Sequence, residues 1–368
     1  FFKKGNLHIM SLKKIAELTG TSISTVSRVL NQPGHTCHDP RLFDQIWETA
    51  AAINYLPNPA ARNLRLGKPE DKHPFTTDIF LTRFDTIDQD PFFRELFQYI
   101  KKELLEQNCH LGELQTLTDI TRLSALSSVP DKIPFRSASQ IRSEKSVHSP
   151  ALITSKQDTG LIILGRCPSK FVPLLKKRYP FLIGIDRNPT NFDYDEIVCD
   201  GVAAAEKAVE YLISLGHRDI AYIGNCSFES RYIGYYQSLL NHKIPLDYNN
   251  IHPSSQTMEE GERIMETILQ SSHLPSALFC ANDCTALGVL KALKKHKKRG
   301  YLPSIISIDN INDSQKTTPL PTTIDIPKKE MAHLAVTLLV DRKNKNRDEN
   351  IRIELPSRLI IRESCTWH

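Results

Sequence analysis

The sequence predicts a small all-α helix-turn-helix domain followed by an α/β core of two doubly wound parallel-sheet lobes. Three observations predict it. Residues 11–55 read as three short amphipathic helices separated by turn residues. Beyond residue 75, apolar runs alternate with amphipathic stretches, as strand–helix–strand repetition requires. The remaining length, about 290 residues, suits two similar lobes better than one hydrophobic core.

Ser11 can cap the first helix, whose apolar face is Leu12, Ile15, Ala16 and Leu18. Thr19-Gly20 breaks it, and the glycine can take the positive φ of a tight turn. The second helix buries Val26, Val29 and Leu30 and stops near Asn31-Gln32-Pro33-Gly34. Asp39-Pro40 opens the third, a cap followed by proline in the first turn, and Leu42, Phe43, Ile46, Trp47, Ala50 and Ile53 follow on one face. Pro57-Asn58-Pro59 then resets the chain. AARNLRLGKP is a basic linker with helical potential, too short to be stable alone. The expected domains are an N-terminal extension at 1–9 (with Met10 as the natural start), the helix-turn-helix at 10–57, a hinge at 58–70 and the core at 71–368.

In the core, GLIILG (160–165), PFLIGID (180–186), IAYIG (220–224), SALFCAND (276–283) and SIISIDN (304–310) read as buried parallel strands. Stretches 92–107, 201–215, 257–270 and 282–296 read as the helices between them. Residues 117–150, rich in Ser and Arg, read as an irregular helix and loop.

Apolar content of 40% and charged content of 24% are those of an ordinary globular protein. Net charge is only +5, but between Met10 and Lys68 seven basic residues stand against four acidic ones. No run approaches the ~18 apolar residues of a membrane helix, and the first residues lack a secretion signal, so a cytoplasmic protein is expected. The eight cysteines include no CxxC and are expected to be reduced thiols. His35, Cys37, His38 and Asp39 lack a second ligand pair at finger-like spacing, so a polar loop is expected and no metal. No GxSxG, HExxH, P-loop or paired acid–base constellation occurs, and neither enzymatic turnover nor a cofactor is expected. KKHKKRG (294–300) reads as the solvated basic end of a helix, favourable against its dipole.

Ala16, Gly20 and Val26 stand at helix-turn-helix spacing: a small residue where two helices cross, a glycine in the turn and a packing valine. This leaves Ser22, Ser24, Thr25, Ser27 and Arg28 outward, hydroxyls and one guanidinium suited to phosphates and major-groove base edges.

With INYLPNPAARNL behind it, LKKIAELTGTSISTVSRVLN closely resembles the lactose-repressor (LacI/GalR) family of bacterial regulators. LGHRDIAYIG (215–224), FCANDCTALGVLKAL (279–293), SIISIDN, PLPTTIDIP (319–327) and LPSRLIIRES (355–364) match that family's landmarks in order, so the resemblance covers nearly the whole chain. It implies that Ile23, Ser24 and Arg28 read bases, with Arg28 placed for a bidentate contact to guanine. Ser22, Thr25, Asn31 and His35 fall at phosphate-contacting positions. Leu64, with Asn58 and Ala61, matches the hinge that wedges a minor-groove step, although an ordinary apolar linker residue is the alternative for Leu64.

The resemblance also implies a periplasmic-binding-protein-like core holding a small effector between its lobes. Phe92, Asp186, Arg231, Asn282 and Asp309 match effector-binding positions. Core packing is the alternative for Phe92, a solvated strand end for Asp186 and a surface ion pair for Arg231. Asp283 is expected to cap the helix after it, and Ile326 stands where many relatives place a polar or aromatic contact. Two carboxylates, one arginine and an amide suit a neutral polyol or sugar, with a nucleobase or phosphosugar as the less favoured alternatives. The expected partners are near-palindromic double-stranded operator DNA, a sugar-like effector and a second copy of the chain. No heptads support a coiled-coil tetramer. The expected function is an effector-controlled repressor, with an activator of the same family or a sugar receptor without gene control as alternatives.

Overall fold

The computed structural model describes residues 12–31, 39–53, 55, 75–127, 156, 158–186, 192–227, 229–296, 301–345 and 347–368. Three helices come first: α1 (Leu12–Thr19), α2 (Ile23–Asn31) and α3 (Pro40–Ala52). Thr19 Oγ1 closes α1 by donating to Ile15 O at 2.7 Å. Gly20 then takes φ +63°, and Thr21 N reaches back to Ala16 O at 3.1 Å. Asp39 accepts from Arg41 N at 2.9 Å, which starts α3 as the Asp-Pro pair predicts. Ile15, Ala16, Val26, Val29, Leu30, Ile46, Trp47 and Ala50 form one buried cluster.

The core elements are β1 (Thr76–Leu81), α4 (Pro91–Glu106), β2 (His110–Thr116), α5 (Leu117–Ser127), β3 (Thr159–Leu164), α6 (Val172–Arg178), β4 (Phe181–Ile185) and β5 (Asp195–Cys199). They continue with α7 (Gly201–Ser214), β6 (Ile220–Gly224), α8 (Ser230–Asn241), β7 (Ile251–Pro253), α9 (Met258–Gln270), β8 (Ala277–Cys280), α10 (Asp283–His296) and β9 (Ser304–Asp309). Last are β10 (Thr322–Asp325), α11 (Lys328–Lys345), β11 (Arg352–Leu355) and β12 (Arg358–Ile360). One six-stranded sheet has the order β11-β5-β4-β3-β1-β2 and the other β12-β10-β9-β8-β6-β7.

By contacts, the described residues of Phe1–Asp85, Leu96–Ile183 and Ala332–Asp348 make one compact unit. Thr86–Glu95, Gly184–Met331 and Glu349–His368 make another. This partition does not follow the sheets strand for strand, since β5 and β11 lie in the second unit's segments.

The doubly wound expectation holds, with one correction to an all-parallel reading: β12 pairs antiparallel with β10, Thr323 opposite Ile360. The last two strands fall in different sheets, β11 beside β5 and β12 beside β10. Residues 117–127 are also more regular than expected. Thr116 and Asp119 cap α5 reciprocally, Thr116 N donating to Asp119 Oδ2 at 2.9 Å and Asp119 N to Thr116 Oγ1 at 3.4 Å. Residues 128–150 lie outside the described residues. The basic end of α10 is paired with α9: Lys295 Nζ and His296 Nε2 lie 2.7 and 3.0 Å from Glu266 Oε1, and Lys291 Nζ 2.7 Å from Glu262.

Candidate functional site

Two polar constellations stand out, one in each unit. In the first, α2 is pinned from below and open above. Val26, Val29 and Leu30 face the three-helix core, while Ser22, Ile23, Ser24 and Arg28 are exposed and Thr25 is half-buried. Ser22 caps α2: its Oγ accepts from Thr25 N at 3.1 Å and lies 2.8 Å from the hydroxyls of both Ser24 and Thr25. Arg28 Nε leans on Ser24 O at 3.4 Å. The face therefore carries a preformed hydroxyl cluster and one guanidinium, donors suited to phosphate oxygens and guanine edges. Asn31 ends α2; His35, Asn58, Ala61 and Leu64 lie outside the described residues, as do His35, Cys37 and His38 of the polar loop.

The second constellation sits at the carboxyl ends of strands in the second unit, where open α/β sheets place ligands. Arg231 is in the first turn of α8. Its Nε donates to Glu229 Oε1 at 2.8 Å and its Nη1 to Ala281 O at 2.9 Å. Burial opposes its charge, but Glu229 and then Asp309 hold it firmly protonated. Asp309 ends β9 at φ +117°, followed by Asn310 at +48°. Burial pushes the Asp309 carboxyl well above the usual carboxylate range, with Arg231 pulling it back. Asp186 follows β4 at φ +56°, its N–H donating to Ile197 O at 2.9 Å. Three left-handed, non-glycine residues at strand ends mark backbone held against its preference, a feature that concentrates at ligand sites.

The cap expected of Asp283 is made by Asn282. Asn282 caps α10, its Oδ1 accepting from Thr285 N at 3.0 Å and Thr285 Oγ1 at 2.7 Å, while Nδ2 donates to Gln256 O at 3.0 Å. Asp283 is instead a buried hub, accepting from Ser307 Oγ, Thr323 Oγ1 at 2.7 Å and Ile311 N at 2.9 Å. The first helical residue cannot cap its own helix when the residue before it already does. Phe92 is buried, with Phe93 edge-on at 5.3 Å and the Lys328 ammonium 5.5 Å above its ring. Its burial and ring contacts suit core packing, the alternative for Phe92. Ile326 is buried and contributes no polar group.

Sequence reasoning missed three residues of this cluster. Gln256 is buried at φ +65°, and its Nε2 has no partner among the described residues. Glu229 both caps α8 and orients Arg231. Lys328 is buried, donating to Asp309 O and to Asn310 O at 3.1 Å and lying 3.5 Å from Glu95 Oε2. The signal for Gln256 was a polar residue just past a strand end. Nothing local to Lys328 distinguishes it from a solvated lysine. The cluster presents oriented donors and acceptors at strand ends, the polar complement that small-molecule pockets use.

No helix of the described residues is long and apolar enough to cross a membrane. Residues 209–365 match the periplasmic binding protein-like domain family. The NTD biosynthesis operon regulator NtdR of Bacillus subtilis (strain 168) is 30% identical over 364 residues, covering 96% of this chain and 99% of that one. The HTH-type transcriptional repressor PurR of Mannheimia succiniciproducens is 25% identical over 363 residues, covering 96% and 98%. Among solved structures, a LacI family transcriptional regulator from Enterococcus faecium with bound ribose superposes with TM-score 0.62 at 23% identity, over 79% of this chain and 99% of that one. With an exposed helix-turn-helix face, two α/β sheets and near full-length relatedness to regulators, the chain belongs to the LacI/GalR family of transcriptional regulators.

Proposed function

We propose that the chain is a repressor that binds near-palindromic operator DNA as a homodimer, with its affinity set by a sugar-like effector. The observation that carries the DNA half is α2: a helix pinned by Val26, Val29 and Leu30 that leaves Ser22, Ile23, Ser24 and Arg28 open. In this reading Arg28, Ser24 and Ile23 face bases, Ser22, Thr25, Asn31 and His35 face phosphates, and Leu64 with Asn58 and Ala61 forms the hinge. A two-fold pair of such helices reads a two-fold site.

The effector half rests on Arg231, Asp309, Asp186 and Gln256, whose Nε2 has no partner among the described residues. One guanidinium, already paired with Glu229, stands against two carboxyl groups, which favours neutral hydroxyls over a phosphorylated or strongly anionic molecule. The ribose held by the Enterococcus relative supports this class of ligand. Binding shifts operator affinity only through different affinities for two states, a coupling of typically ~1–3 kcal/mol.

The deciding measurement is fluorescence anisotropy on duplexes from upstream of the chain's own gene, at fixed salt, with and without a panel of sugars. Tight binding that resists competitor DNA and is changed by one sugar supports the reading. Salt-sensitive binding that any DNA competes away overturns the operator claim and favours a receptor. Release by the sugar marks an inducer, and tightening marks a co-repressor.

A further inference from the structure

The helix-turn-helix core does not end with its own three helices. Leu105, on α4, belongs to the same buried cluster as Ile15, Val26, Leu30, Ile46 and Trp47. One turn earlier, Lys102 Nζ lies 2.7 Å from Asp44 Oδ1 on α3 and 6.0 Å from the Phe43 ring. Lys101, Lys102, Glu103, Leu104 and Leu105 are consecutive, and every one is buried. Successive side chains on an α-helix point about 100° apart, so five buried in a row leave no open face. Part of the circumference is covered by α11, where His333 Nδ1 lies 2.9 Å from Glu103 Oε2 and Thr337 accepts from Gln107 at 3.0 Å. The Lys102 side is covered by α3.

The ion pair is lopsided in a telling way. Lys102's side chain is 4% exposed and Asp44's 41%, so the ammonium is the buried member and depends on its partner for compensation. The recognition residues Ser22, Ile23, Ser24 and Arg28 stay exposed in the same arrangement.

We propose that α4 is a docking surface for the chain's own helix-turn-helix, in which Asp44–Lys102 and Leu105 hold α2 presented for DNA. A domain attached only through its linker samples many orientations, and binding DNA must then restrict them. Docking removes part of that cost beforehand. The contact acts by a route separate from hinge ordering, and it does not depend on which DNA or effector is recognised.

The test uses the purified full-length chain and a carbodiimide, which joins a carboxylate to an amine in direct contact as an amide and takes up the lost water as a urea. A 44–102 linked peptide is expected from the native chain and from neither Lys102→Glu nor Asp44→Lys alone. It returns between the same two positions in the double variant. On a duplex from upstream of the gene, Lys102→Glu, which sets a fourth carboxylate beside Asp44, Glu103 and Glu106, is expected to weaken binding roughly tenfold, with recovery in the double variant. Should Lys102→Glu fail to fold, Asp44→Asn at the half-exposed end removes the same pair and is expected to lose both the link and affinity. Absence of the link in the native chain overturns the docking. So does a link forming only between isotopically light and heavy chains, or a double variant no better than the single. Loss of all specific DNA binding in the native chain would refute the operator reading and leave the cross-link to decide the docking.

Discussion

At the scale of single residues, the hydroxyls of α2 are already organised before DNA arrives. Ser22 spends one acceptor position on the cap and lies 2.8 Å from the hydroxyls of Ser24 and Thr25, whereas Arg28 makes a long contact to Ser24 O. Arg28→Ala is expected to lower operator affinity by about 1–3 kcal/mol and to erase discrimination at one base pair, read by anisotropy on single-base operator variants. Equal losses on every variant would make Arg28 a phosphate contact instead. Asp309 carries a second prediction. Its folded pKa is raised by burial above an unfolded value of about 3.9, so its stabilising contribution is complete below that pH and is lost as pH rises through the raised value. Asp309→Asn removes this titration. Its Tm relative to the parent is therefore expected to improve as pH rises above the unfolded carboxyl value of about 3.9, and a pH-independent difference would refute the buried carboxylate. A carboxylate kept against its own stability is what a ligand site looks like.

At the scale of elements, helix pairing is set where glycine permits it. Gly261 on α9 and Gly288 on α10 face each other's backbone, so a Cβ on Gly261 would meet Thr285 O and one on Gly288 would meet Met258 O. Gly288→Ala is expected to destabilise the chain by about 1–3 kcal/mol in denaturant unfolding, despite alanine's better helix propensity, because the two helices must separate. A stabilised variant would show that the pair has slack. Periodicity made most of these helices legible, and the caps Asp39 and Thr257 were readable from residue type. The Thr116–Asp119 box was readable too, but the Ser- and Arg-rich stretch after it obscured the pattern. Short strands such as β7 and β12 were not legible alone, since three residues carry no usable alternation.

At the scale of the whole molecule, the proposed repressor needs effector and operator affinity to be linked. Arg231→Ala is expected to abolish the sugar response while leaving ligand-free operator affinity within about twofold, since linkage passes through the effector and Arg231 lies off the DNA-binding face. A retained response would remove Arg231 from the site. The sequence by itself determined the helix-turn-helix, the alternation of strands and helices and the family, because each depends on residues within a few positions or on motif order. Only the tertiary structure decided which polar residues are spent and which are free. Asn282 is consumed by Thr285 and Gln256, and Asp283 by Ser307, Thr323 and Ile311. Gln256 Nε2 has no partner among the described residues. Hydrogen bonds and burial are set by partners tens to hundreds of residues away, and no local pattern encodes which acceptor reaches a donor first.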